Sequence, residues 1–105
     1  MERSPLTVVK KDGRREQFDY EKLVRGLQKA TERTQVSADQ IVEIANKVEQ
    51  ELRSQATTEI PSTHIGEYAA RYLKKLDKVA YIRFASVFKQ FVDVEEFEKE
   101  LRKLL

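Results

Sequence analysis

Between Thr7 and Leu23 the chain reads Thr-Val-Val-Lys-Lys-Asp-Gly-Arg-Arg-Glu-Gln-Phe-Asp-Tyr-Glu-Lys-Leu, an order that few local structures satisfy. Leu6 to Lys11 alternates apolar and polar with two β-branched valines, and Arg14 to Phe18 can return beside it. Asp12-Gly13 between them is a dipeptide that tolerates positive φ at both central turn positions, so a tight hairpin is expected. Asp19 then offers a carboxylate as N-cap of a helix that opens Tyr20-Glu21-Lys22-Leu23. A helix N-terminus carries partial positive charge, so Lys22 in its first turn is locally unfavourable unless something negative sits nearby. Lys10 and Lys11 can reach the same region, and free N–H groups at the helix start add donors, which together suggest a seat for a phosphate. The bland alternative is a solvated basic face, which charge alone does not exclude.

The rest of the chain reads as helices that support this stretch. Met1 to Pro5 is a short polar lead, expected to be a linker remnant at 1–5 ahead of one domain at 6–105. The first helix is expected from Tyr20 to Thr31, burying Leu23, Leu27 and Ala30. Gly26 inside it costs about 1 kcal/mol relative to alanine, which close packing against another element would offset. Ser37-Ala38-Asp39-Gln40 is a capping box, with Val36 and Ile41 at staple spacing. The helix it starts should run to about Ser54 on a stripe of Ile41, Ile44, Ala45, Val48 and Leu52, with Glu43, Lys47, Glu49, Gln50 and Glu51 on other faces. Ala56 to Ile60 is an extended piece able to add a third strand, because Pro61 holds Ile60 extended.

Ser62 is expected to cap a third helix carrying Ile65, Tyr68, Ala69, Tyr72, Leu73 and Leu76, and Gly66 in it would allow a chain or ligand to approach closely. Lys78 to Phe91 is apolar around most of its circumference and implies a central buried helix. Asp93-Val94-Glu95-Glu96 opens a last helix with an acid cap, and Val92 with Phe97 repeats the staple spacing. The expected class is α+β: a bundle of four to five helices capped by a small N-terminal hairpin or three-stranded sheet.

Composition removes several functions. The chain has no cysteine, so disulfides, thiolate zinc sites and cysteine nucleophiles are excluded, and one histidine, His64, makes no metal site alone. For that histidine a structural or surface role is expected. A net charge of +2 is too small for nonspecific nucleic-acid binding. No apolar run approaches the roughly 20 residues of a membrane span, and no signal-peptide core is present, so a soluble cytoplasmic protein is expected. Three glycines, at 13, 26 and 66, cannot build a Walker loop, and no nucleophile with an adjacent base is visible, so an enzyme is not expected. Glu95 and Glu96 point to different faces of a helix.

Val8-Val9-Lys10-Lys11-Asp12-Gly13, then Glu16, Phe18, Asp19, Lys22 and Leu23, closely resembles the opening motif of the ATP-cone, a regulatory nucleotide-binding domain of ribonucleotide reductases and of the bacterial transcriptional regulators called NrdR. The usual motif has Arg where this chain has Lys11, which keeps the charge and loses bidentate contact to phosphate. Ala80-Tyr81-Ile82-Arg83-Phe84-Ala85-Ser86-Val87-Phe88-Lys89, then Phe91, Asp93 and Glu96-Phe97, looks like the NrdR branch rather than a reductase cone. That branch carries a zinc ribbon of two Cys-x-x-Cys pairs that reads DNA, and none of it is in this sequence, so neither zinc nor direct DNA reading is expected here.

The resemblance implies ATP or dATP as an effector, with Mg²⁺, and no reaction. It puts Val8 and Leu23 against the base or sugar, Lys10, Lys11 and Lys22 on the phosphates, and Glu16 near the base or as a supporting hydrogen-bond acceptor. Asp19, Ser62 and Gly66 fall near the site, and Tyr81 and Phe88 are either core aromatics or ligand contacts. The family commonly has tyrosine where this chain has Phe88, so a hydroxyl contact there is lost. The resemblance further implies that the nucleotide biases self-association, and the third and fourth helices, with Tyr72 and Phe84, are the expected interface. A standalone or reductase-derived cone is the first alternative, and a helical interaction module with no ligand is the second.

Overall fold

In the computed structural model, which describes residues 5–87, 98–99 and 101–103, the order is β1 (Thr7–Val9), β2 (Arg15–Gln17), α1 (Tyr20–Ala30), α2 (Ala38–Arg53), β3 (Glu59–Pro61), α3 (Ser62–Leu76) and α4 (Lys78–Val87). The class is α+β, as the patterning implied. Residues 98–99 and 101–103 are again helical, while Phe88, the acid cap at Asp93 and the Val92–Phe97 staple lie outside the described residues.

The sheet has the order β2-β1-β3. β1 pairs antiparallel with β2 and parallel with β3, so Val8 stands opposite Glu16 on one side and Ile60 on the other. The parallel partner needs a long crossover, which α1 and α2 supply. The hairpin closes differently from the expected two-residue turn. Gly13 N–H donates to the Lys10 carbonyl, Lys10 N–H donates to the Arg14 carbonyl, and of the loop residues only Gly13 has positive φ, at 88°. This is a three-residue loop with glycine in the left-handed position. Asp12 keeps negative φ because its Oδ1 accepts from the Arg14 N–H at 3.0 Å, a side-chain turn that replaces the second left-handed residue.

Helix boundaries follow their caps. Asp19 Oδ1 accepts from the Lys22 N–H, and Thr31 ends α1 as its C-cap rather than as a helical residue. Ser37 and Gln40 form both halves of the capping box. Ser62 does not cap α3: Pro61 occupies the N-cap position, Ser62 is the first helical residue, and no side chain caps the start. Proline has the extended geometry of an N-cap without an acceptor side chain, so it sets the entry angle and leaves the first N–H groups of α3 without a side-chain partner. Asp77 serves two helices. Its N–H closes the end of α3 on the Leu73 carbonyl, and its Oδ1 accepts from the Ala80 N–H to start α4.

Leu27, Val48, Leu52, Ile60 and Leu73 are fully buried, one or more from each of α1, α2, β3 and α3. Each contributes about 1.5–3 kcal/mol by leaving water, and Leu27→Ala would cost about 2–5 kcal/mol. Glu49, expected on an outer face, is buried against α2's own last turn, where Arg53 Nε donates to its Oε2 at 2.9 Å. α4 is not buried around its circumference either. Ala80, Tyr81, Phe84 and Ala85 face the core, whereas Val79 is 43% and Val87 75% exposed. With a single buried face, α4 flanks the bundle, and an apolar strip remains in water.

Candidate functional site

β1, β2, the start of α1, the start of α3 and the end of α4 enclose a cavity of about 280 Å³. Its polar edge comes from the hairpin and from α1: Lys10, Glu16 and Gln17 from the one, Asp19 and Lys22 from the other. Its apolar wall comes from Val8, Phe18, Leu23, Ile65, Phe84 and Val87, and Gly26, Ser62 and Gly66 complete it.

Local sequence explains each placement. Strand alternation puts Val8 on the inner face of β1, where it is 6% exposed, between the half-buried Thr7 and Val9. Lys22 is in the first turn of α1 because Asp19 caps it, and Leu23, Gly26 and Leu27 follow on the inward side at helical spacing. Leu27 belongs to the core; Gly26, one residue earlier, borders the cavity. The glycine expected to permit a close approach thus lies on the cavity wall. Pro61 directs Ser62, Ile65 and Gly66 to the cavity side of α3.

The electrostatics favour an anion at one end. Lys10 Nζ lies 3.5 Å from Glu16 Oε2, with both side chains partly exposed, and Lys22 makes no ion pair among the described residues. The start of α3, without a side-chain cap, adds positive helix-end potential beside Ser62. The neighbouring cations on the hairpin are occupied elsewhere. Arg14 Nε donates to Asp12 Oδ2 at 2.7 Å, and Arg15 Nε donates to Glu59 Oε1 at 2.8 Å, tying β2 to β3 across β1. The Arg14 N–H and guanidinium together hold the Asp12 carboxyl below its usual range.

Eight of the residues anticipated from sequence border this cavity: Val8, Lys10, Glu16, Asp19, Lys22, Leu23, Ser62 and Gly66. Lys11 does not; it is exposed on the hairpin loop, outside the lining. Tyr81 does not either. It is 3% exposed within the core, with Lys74 Nζ 6.0 Å from its ring centre, so its burial is structural. Phe88 lies outside the described residues. Gln17, Phe18, Gly26, Ile65, Phe84 and Val87 line the cavity without having been singled out as site residues. Phe18 was visible in the hairpin motif and Gly26 as an uncompensated helix glycine, whereas Phe84 and Val87 required the docking of α4 to be known.

His64 faces away from the cavity lining. Its Nδ1 is 3.3 Å from Gln55 Nε2, which also donates to the Tyr68 hydroxyl at 2.9 Å. Among the described residues no cluster of three histidine, aspartate or glutamate side chains could hold a metal ion. No helix among them is long and apolar enough to cross a membrane.

The chain is a helical bundle under a three-stranded cap, with lysines from two elements on the rim of the cavity between them. The sequence profile of the ATP cone domain matches residues 6–94. Transcriptional repressor NrdR of Listeria welshimeri and that of Listeria monocytogenes are each 54% identical to this chain over 105 residues, spanning all of it and 68% of their own length. Transcriptional repressor NrdR of Ligilactobacillus salivarius is 50% identical, with 67% of its length covered. The chain therefore belongs to the ATP-cone family, and within it stands with the NrdR repressors.

Proposed function

We propose that the cavity binds ATP or dATP and that its occupancy selects among assemblies of the protein. The supporting observation is the convergence of Lys10 and Lys22, from separate elements, on the edge of one cavity whose wall is otherwise apolar. A volume of about 280 Å³ is near the lower end of small-molecule pockets, roughly 300–1,000 Å³, which suits base and sugar inside with phosphates at the rim. Val8 and Leu23 pack on the base or sugar, and Lys10 and Lys22 hold the phosphates. The α3 start adds N–H donors, and Glu16 accepts a hydrogen bond near the base or orients Lys10. Lys11 approaches the phosphates from outside the cavity. Mg²⁺ arrives with the phosphates, which supply most of its ligands.

The protein binds and does not react. That reading is supported by relatives named as transcriptional repressors, and the polar groups of the cavity, Lys10, Glu16, Gln17, Asp19, Lys22 and Ser62, are assigned to binding. ATP and dATP differ by one hydroxyl, and a ligand shifts an assembly equilibrium only through differential affinity for its states. Phe84 and Val87 border the cavity from α4, the helix that also presents Val79 to water, so the ligand and the apolar strip share one element. Leu76 at the end of α3 is a further exposed apolar side chain, at 45%. Tyr72 and Phe84, the side chains first expected at an interface, are engaged elsewhere: Phe84 is buried, and the Tyr72 hydroxyl bonds Glu51. The interface is therefore assigned to Leu76, Val79 and Val87. In a full-length repressor, such assembly would govern DNA contact made by a zinc ribbon outside this sequence, at ribonucleotide reductase genes.

Isothermal titration with ATP and with dATP in Mg²⁺, with light scattering on the same samples, tests this. Micromolar binding and a different mass for each nucleotide are expected. A folded chain giving no heat and no mass change would instead be a ligand-free helical interaction module.

A further inference from the structure

α1 is held at both ends, and the two ends are held by different parts of the molecule. At its start Asp19 caps the turn that carries Lys22. At its end the Arg83 guanidinium of α4 donates through Nη1 to the carbonyls of Ala30, at 3.5 Å, and Glu32. Those carbonyls belong to the last turn of α1 and the residue after its C-cap, where acceptors lack intrahelical partners and the dipole favours a cation. Arg83 touches nothing in the cavity, yet the next residue, Phe84, and the one a turn later, Val87, both line it. Gly26, one turn before Ala30, lines it from the opposite side. Arg83 thus bridges α4 to the end of α1 beside the core contacts that also join these two helices.

We infer that Arg83 is a positioning residue of the nucleotide site, a latch that fixes the spacing of α1 and α4 and so sets nucleotide affinity without contacting the nucleotide. The inference rests on the nucleotide-binding function proposed above. Arg83 adds to the apolar packing of α1 against α4 two hydrogen bonds that fix direction as well as distance. Without the latch α4 can swing, and both the apolar wall and the strip that includes Val87 move with it.

The chain has no cysteine, so spin labels can be placed at Gln28→Cys on α1 and Ser86→Cys on α4, both exposed. Label separation by pulsed electron resonance in nucleotide-free protein, and Kd for ATP in the unlabelled chain, are measured for wild type, Arg83→Ala and Arg83→Lys. Arg83→Ala is expected to broaden the separation and weaken ATP binding roughly 3- to 30-fold. Lysine keeps the charge but not the fork, so Arg83→Lys should fall between the two in both readouts. Ser37→Ala, which removes the α2 cap and lies outside the cavity lining, is the control for general destabilisation and should leave Kd unchanged. An unchanged separation or an unchanged Kd in Arg83→Ala overturns the inference. If that variant fails to fold, a wild-type Kd in Arg83→Lys does so. Broadened labels in a chain whose wild type binds no nucleotide mean that the nucleotide function is wrong and Arg83 is structural only.

Discussion

Lys10 Nζ and Glu16 Oε2 face each other at 3.5 Å across the hairpin, at the edge of the cavity that both residues line. Such a partly exposed pair contributes about 0–1 kcal/mol to folding, so its members are held for something other than stability. Lys10→Ala should leave the melting temperature of nucleotide-free protein nearly unchanged. It should weaken ATP binding about 10- to 100-fold, the worth of a charge-assisted hydrogen bond of about 1.5–3 kcal/mol. Titration calorimetry beside a thermal melt separates the two effects, and the same outcome is expected for Lys22→Ala.

Gly26 lies inside α1 with ordinary helical backbone and borders the cavity. Alanine there should raise helix stability by up to about 1 kcal/mol while placing a methyl group in the space assigned to the nucleotide. Gly26→Ala is therefore expected to melt higher than wild type without ligand and to gain less from added ATP. A variant that gained stability and lost no affinity would place the nucleotide elsewhere.

The Tyr72 hydroxyl donates to Glu51 Oε1 at 2.6 Å, while Glu51 Oε2 is buried with no hydrogen-bond partner among the described residues. Tyr72→Phe leaves that carboxylate without its donor and should cost about 1–3 kcal/mol in urea unfolding, with nucleotide affinity retained. The hydrogen bond to Glu51 raises the Tyr72 pKa above its usual 10.0. The native state therefore holds this proton more tightly than the unfolded chain does. Stability from the pair is complete below about pH 10 and declines as pH rises from there through the raised folded value. Wild type should lose stability over that range more steeply than Tyr72→Phe, as parallel urea titrations at pH 9 and pH 11 would reveal.

Ser37→Ala removes one half of the capping box and should lower stability by about 1 kcal/mol, measured by denaturant unfolding, with no change in ATP affinity. It calibrates what a stability loss outside the cavity lining does to binding.

Local chemistry made most of this fold legible before any coordinates. Asp19, Ser37 and Gln40 announce helix starts because caps are short-range hydrogen bonds between near neighbours, and the strands of Val8 and Ile60 follow from the hairpin signal and from Pro61. The details that went astray depend on choices the local sequence leaves open. Asp12 could take a left-handed conformation or bond the Arg14 N–H, and the second prevailed. Ser62 looks like a cap until Pro61 takes that position. Periodicity makes α4 appear buried all round, yet only its docking decides that Phe84 and Val87 border the cavity while Val79 stays in water. For the cavity, the hairpin and α1 were readable because they are contiguous. The α4 wall was not, since Phe84 and Gly26 come to border one cavity only through tertiary packing.

The most direct test of the cavity as the nucleotide site uses the three glycines, whose amide signals are readily resolved in a ¹⁵N-labelled sample. ATP with Mg²⁺ is titrated while the Gly13, Gly26 and Gly66 resonances are followed. Gly26 and Gly66 line the cavity from α1 and α3, and both should shift together, saturably, and further than Gly13 on the hairpin loop. If Gly26 and Gly66 stay fixed at saturating ATP, the nucleotide does not bind between these helices, and the site proposed here is wrong.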